Sequence, residues 1–112
     1  MNTMYPAKIN SPNTTLNDGI NNVATTIAIA DGTVLPAAPN IATIGYDTAS
    51  PETILYTGNA GNSLTGVTRG FQGTAASWNS GDKIARTFTE YDYNALRVNI
   101  AEARRAAVVM GG

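Results

Sequence analysis

Thr53-Ile54-Leu55-Tyr56-Thr57-Gly58, a five-residue Gly/Asn/Ser turn, and Leu64-Thr65-Gly66-Val67-Thr68-Arg69-Gly70-Phe71-Gln72-Gly73-Thr74 form the stretch that decides the fold. Thr, Ile, Leu, Tyr and Val suit a pleated, half-buried surface. Gly58-Asn59-Ala60-Gly61-Asn62 supplies residues that tolerate positive φ. The stretch reads as a β-hairpin that runs from Thr53 to Thr68 and opens into a glycine-punctuated loop. Short strands are expected before it and one helix after it.

Upstream, Thr25-Thr26-Ile27-Ala28-Ile29-Ala30 alternates polar with apolar and predicts a strand closed by Asp31-Gly32. Leu35-Pro36-Ala37-Ala38-Pro39-Asn40 is a rigid, non-helical connection. Ile41 to Tyr46 is the next strand, Asp47 to Pro51 a turn, and Glu52 to Thr57 pairs back as a meander with Ile54 and Tyr56 on one face. Residues 1–22 are poor in core-forming types and carry Pro6, Pro12 and two turn clusters. They read as an extended arm that lies along this domain's own sheet, reaches a neighbouring subunit, or stays untied.

Downstream, Gly70 to Gly81 is a loop fastened by Phe71 and Trp78, with Trp78 expected as an anchor plugging one end of the barrel. Asp82 to Phe88 is a last strand, on which Arg86 shares a face with Ile84 and Phe88 and so belongs near a rim or interface. Thr89 and Asp92 form a variant of the capping box that starts a helix. At 100° per residue, Tyr93, Leu96, Ile100, Ala103, Ala107 and Met110 make one apolar stripe, and Tyr91, Ala95, Val98, Ala106 and Val109 make a second. One stripe can pack on the sheet, which leaves the other for self-association. The fold class is therefore mainly β: a small antiparallel barrel or sandwich over residues 23–88, with an N-terminal arm over 1–22 and one helix over 89–110.

Composition narrows the functions. The chain has 112 residues, of which 43% are apolar and 13% charged. The charged fraction is about half the usual quarter. That suits a surface largely covered by neighbours and equally a soluble domain with a neutral polar surface. A net charge of −1 creates no field favouring nucleic acid or an anionic membrane. Lys8 is the only basic residue before Arg69, so the basic residues cluster toward the C-terminal end, as a solvated helix side does. The absence of cysteine and histidine excludes disulfides, thiolate nucleophiles, Ser-His-Asp triads and zinc sites built on those ligands. No apolar run approaches a membrane span, and the first residues lack the plan of a signal peptide, so a cytoplasmic origin is expected.

The carboxylates sit in turns or at the helix start. Asp47 and Glu52 can meet across a turn, as ordinary turn chemistry. Arg69 to Thr74 lacks the Gly-Lys-Ser/Thr of a nucleotide loop and is a bend that Arg69 holds through a carboxylate or backbone carbonyls. No catalytic, cofactor or metal residue is expected. Ile9, Pro12 and Leu16 of the arm and Tyr91, Val98, Val109 and Met110 of the helix are the candidate interface residues.

Several stretches together carry a resemblance: Pro6-Ala7-Lys8-Ile9-Asn10-Ser11-Pro12, Val34 to Asn40, Glu52 to Gly58, the block Leu64 to Ala75, and Phe88 to Leu96. From about residue 6 to 102 the chain resembles a small β domain of tailed-bacteriophage virion proteins, often placed at the N-terminus of tail-fibre or baseplate-associated chains. Gly66, Arg69, Gly70 and Gly73 belong to the most specific block, and Trp78 follows it. Such fibre chains continue past the helix into a shaft, whereas this one ends. The resemblance implies a non-enzymatic structural protein of the virion, made in the host bacterial cytoplasm. A capsid decoration or cement protein in symmetric copies is the first expectation. A tail, baseplate or fibre-base adaptor is the second. A carbohydrate- or cell-surface-binding module with Trp78, Phe71 and tyrosines as its platform is the third. The implied partners are other virion proteins and further copies of the chain, without direct contact to nucleic acid or membrane.

Overall fold

The computed structural model describes residues 2–111, with side chains described as far as Arg104. The chain divides into two compact units. One is a β unit, Pro6–Thr87, and the other is a helical unit formed by the N-terminal residues through Tyr5 with the chain from Phe88 onward.

The β unit holds two antiparallel sheets. Strands β1 (Asn13–Thr15), β3 (Asn40–Ile44), β4 (Glu52–Tyr56), β7 (Thr68–Gln72) and β8 (Lys83–Ala85) form the larger, in the order β1-β8-β3-β4-β7. Strands β2 (Ile27–Ala28), β5 (Gly58–Ala60) and β6 (Ser63–Thr65) form the smaller, in the order β2-β6-β5. The arrangement is sandwich-like and the sheets do not close into a barrel. The strand period of two sets the core. On the β3–β4 hairpin, Ala42 opposes Ile54 and Asn40 opposes Tyr56 on the inner face, while Thr43 opposes Thr53 on the other face. There the two threonine hydroxyls lie 3.0 Å apart and Thr87 adds a third hydroxyl at 3.0 Å. Leu16, Ile27, Ile29, Ile44, Ile54, Tyr56, Leu64 and Ile84, all at most 1% exposed, meet between the sheets.

The stretch from Thr53 to Thr68 is two hairpins' worth of chain. Strand β4 pairs with β3 and β7, while β6 pairs with β5 and β2. The chain crosses from the larger sheet to the smaller at Thr57 and turns back at Gly61-Asn62. Both turn residues have positive φ (59° and 58°), as a two-residue hairpin turn of the primed kind requires. Asn62 also accepts from Gly32 N (2.9 Å), and Asn59 donates to Gly32 O (3.1 Å), so this hairpin holds the 3-10 turn Gly32–Val34.

The arm is likewise divided. Asn13–Thr15 is an edge strand on β8, and Leu16 bridges to Ile29. Residues 2–5 belong to the helical unit, where Asn2 and Asn99 exchange hydrogen bonds of 2.7 and 2.9 Å. Helix α1 (Glu90–Gly111) starts on the expected cap. Asp92 Oδ2 accepts from Thr89 N at 2.9 Å and from Thr89 Oγ at 3.0 Å, and Thr89 Oγ accepts from Asp92 N at 3.2 Å.

Tyr56 is fully buried and donates its hydroxyl to Pro36 O at 2.7 Å. Burial pushes this phenol well above its ordinary value, and the nearby Arg86 charge offsets that only in part. Pro36 O keeps a second donor in Asn59 Nδ2 at 3.3 Å. Tyr56→Phe is therefore expected to cost only about 1 kcal/mol in urea unfolding, because no buried acceptor is orphaned.

Candidate functional site

The most elaborate polar arrangement in the β unit is centred on Glu52. This carboxylate opens β4 on the inner face, opposite Ile44, and is fully buried. Five donors reach it. Arg69 Nε and Nη2 lie at 2.8 Å each, Gly70 N at 2.9 Å, Ala76 N at 3.1 Å and Trp78 Nε1 at 2.9 Å. The fork of the guanidinium matches the two carboxylate oxygens, which is the geometry that makes such pairs strong.

Local irregularity aims these groups. Between the paired positions Thr53↔Gln72 and Leu55↔Thr68, β4 carries only Ile54, whereas β7 carries Arg69, Gly70 and Phe71. That bulge, with Gly70 at φ 60°, points Arg69 toward Glu52. Arg69 then reaches three backbone carbonyls: Asn21 O, Ala24 O at 3.4 Å and Ala76 O at 2.6 Å. Trp78 exchanges two backbone hydrogen bonds of 2.9 Å with Ile20, and its ring lies over Gly45, where a Cβ would come within 2.4 Å of it. One ion pair thus fastens strand β4, the loop 70–78 and the chain near residues 20–24.

Burial alone would raise the Glu52 pKa. The Arg69 guanidinium, the Trp78 indole N–H and the Gly70 and Ala76 amides outweigh it and hold the carboxyl at about 2, against an ordinary 4.5. A folded-state pKa below the unfolded one gives stability that is fully present above about pH 4.5 and is lost as pH falls toward 2. Denaturant titrations at pH 7, 4, 3 and 2.5 are expected to show a progressive loss of at most about 3 kcal/mol from this group. Glu52→Gln should lack that part of the pH dependence.

A second buried cluster corrects the expectation for Arg86. It is 2% exposed, and its Nε donates to Asn40 Oδ1 at 2.8 Å and to Pro6 O at 3.2 Å. The residue anchors the arm inside the β unit instead of marking a rim. Asp47 and Glu52 do not form a pair, because Glu52 belongs to Arg69 and Asp47 lies 3.7 Å from Lys83 at the surface. Among the described residues no cluster of three His, Cys, Asp or Glu could hold a metal, and no helix is long and apolar enough to cross a membrane.

The candidate interface residues scatter. Ile9 is 86% exposed at the tip of the turn Lys8–Ser11, where Ser11 N donates to Lys8 O and Asn10 and Ser11 both have positive φ (61° and 43°). Pro12 is half-buried. Leu16 is 1% exposed and part of the core, so it is no interface residue: its bridge to Ile29 places it between the sheets. On the helix it is the first of the two stripes that stands exposed. Tyr93, Leu96 and Ile100 are 55%, 42% and 48% exposed. Tyr91 and Val98 are half-buried, and Tyr91 donates to Thr3 O and lies 5.9 Å, centroid to centroid, from Tyr5. The N-terminal residues occupy that side, which the two equally apolar stripes gave no means to foresee. Val109 and Met110 lie outside the residues with described side chains. Gly66, Gly70 and Gly73 all have positive φ (56°, 60° and 75°); Gly70 and Gly73, with Arg69 and Trp78, shape or join the Glu52 neighbourhood, whereas Gly66 O accepts from Thr57 Oγ at 3.3 Å. The sequence offers Glu52 as the start of a strand and as a turn partner of Asp47, and offers Arg69 an unnamed carboxylate; a distance of 17 positions hides that the two are each other's partners. No protein-family model matches the chain, and no protein of curated function matches it.

Proposed function

We propose that the chain is a non-enzymatic structural part of a tailed-bacteriophage virion, attached to the capsid surface in symmetric copies as a decoration or cement protein. The observation that carries the reading is where its polar and apolar groups are spent. In the block that bears the resemblance, Leu64 to Ala75, Arg69 and Gly70 are spent on the Glu52 clamp and Leu64 and Val67 on the core. Apolar side chains meanwhile stand in solvent at Ile9 and along the helix. With the Glu52–Arg69 pair and Arg86 turned inward and apolar protrusions outside, such a body associates by removing apolar surface from water. In this reading the partners are other virion proteins and further copies of the chain, and the protein is made in the host cytoplasm and resides in the particle. A tail, baseplate or fibre-base adaptor would use the same chemistry on another neighbour. The carbohydrate reading is the weakest, since Trp78 gives its N–H to Glu52 and its ring to Gly45.

The test is add-back of purified, labelled chain to separated heads and tails of a phage that carries it, with localisation by electron cryomicroscopy. Regular density on heads is expected. Density confined to the tail or baseplate would select the adaptor. Binding to neither would sink the virion reading.

A further inference from the structure

We infer that the exposed helix face is a two-fold, antiparallel contact with a second copy of this chain. The inference concerns only the self-association part of the reading above. At 100° per residue, Tyr93, Arg97, Ile100 and Arg104 fall within an arc of about 60°, and Leu96 flanks them. All five are exposed, as is Ala101 beside them, a small residue that permits close approach. The opposite side is closed to a second helix by the chain's own N-terminal residues, through Asn2–Asn99, Thr3–Tyr91 and the Tyr5–Tyr91 rings.

Charge selects both the occupant and the direction. Exposed Glu90, Arg97 and Arg104 lie along one edge of this face at spacings of seven. Each end is about 10 Å from Arg97 along the axis. A parallel two-fold copy would set this charged edge against the Leu96 edge of the other helix and leave Glu90, Arg97 and Arg104 without an opposite charge. A two-fold axis at Arg97 instead sets Glu90 against Arg104 of the other copy twice, and brings Tyr93 of each helix close to Ile100 of the other. Only the two Arg97 side chains then meet, and their long stems can carry the guanidiniums apart into water. The patch is thus self-complementary, as an isologous contact must be. It is also small. A few hundred Å² per copy falls below the ~800 Å² per partner of a standard interface, so the pair should be weak, with a dissociation constant on the order of 10–100 μM.

Sedimentation velocity of the full chain, without any particle, should show a concentration-dependent monomer–dimer equilibrium. Leu96→Asp should weaken it at least about 30-fold. Glu90→Arg and Arg104→Glu should each weaken it, and the double reversal should restore it, which a general loss of folding cannot do. Because the chain has no cysteine, direction can be read directly: mixed Glu90→Cys and Arg104→Cys proteins should cross-link on oxidation, while Glu90→Cys alone should not. A monomer at every concentration up to 1 mM, on the order of ten times the weakest constant expected, would overturn the inference. So would cross-linking of Glu90→Cys alone, or a dimer indifferent to Leu96→Asp. Add-back to particles remains an independent readout: a strictly monomeric chain that still decorates heads would defeat this contact and leave the virion reading standing.

Discussion

Glu52→Ala is expected to leave the β unit unable to hold its native fold at 25 °C. The substitution removes the acceptor for five donors at once and leaves the Arg69 guanidinium, whose side chain is 7% exposed, without its counter-charge. Breaking a buried pair from one side costs about 3–5 kcal/mol, and each orphaned buried donor adds about 1–3 kcal/mol. The total reaches the whole stability of an ordinary small domain, about 5–15 kcal/mol. Removing both charges is a different experiment. Glu52→Gln with Arg69→Met leaves no buried ion, so the double variant should be more stable than Glu52→Ala despite carrying more changes. The sole tryptophan sits in the cluster, so Trp78 fluorescence reports the transition directly. A Glu52→Ala protein with native emission and an unchanged urea midpoint would show that the clamp contributes little.

That clamp also explains which parts of the molecule were legible in the sequence. Alternation placed Ile27 and Ile29, and Ile54 and Tyr56, correctly, because each pair faces one continuous core. It failed at Thr57, where the chain leaves one sheet for the other: side-chain period is the same on both sheets, and nothing in it records a change of partner. The cap at Thr89 was readable because its partners lie three residues apart. Glu52 with Arg69, and Arg86 with Pro6, are 17 and 80 positions apart, and no local pattern encodes such pairings. The presence of Gly66, Gly70 and Gly73 was visible, but the reason for them was not.

The reason can be tested at Gly73 against Gly61, two glycines of similar backbone and different surroundings. Both have positive φ, 75° and 59°. A Cβ at Gly61 would meet nothing within 4 Å, whereas at Gly73 it would lie 2.7 Å from Pro51 O. The left-handed conformation costs an alanine about 1–2 kcal/mol at either site. At Gly61 that is the entire effect. At Gly73 the contact is with backbone, which cannot rotate away, and Pro51 immediately precedes Glu52. Relief therefore requires displacing the start of β4 or the loop 70–78, and either motion lengthens the hydrogen bonds that Gly70 and Ala76 donate to Glu52. Gly73→Ala is expected to cost about 3–4 kcal/mol in urea unfolding, against about 1 kcal/mol for Gly61→Ala, with overpacking supplying the difference. Amide exchange separates this from a general weakening. In Gly73→Ala the Gly70 and Ala76 amides should lose protection beyond the global change, whereas in Gly61→Ala they should track it. Equal costs at the two sites would mean that the loop is not pressed against Pro51, and that its glycines serve the turn alone.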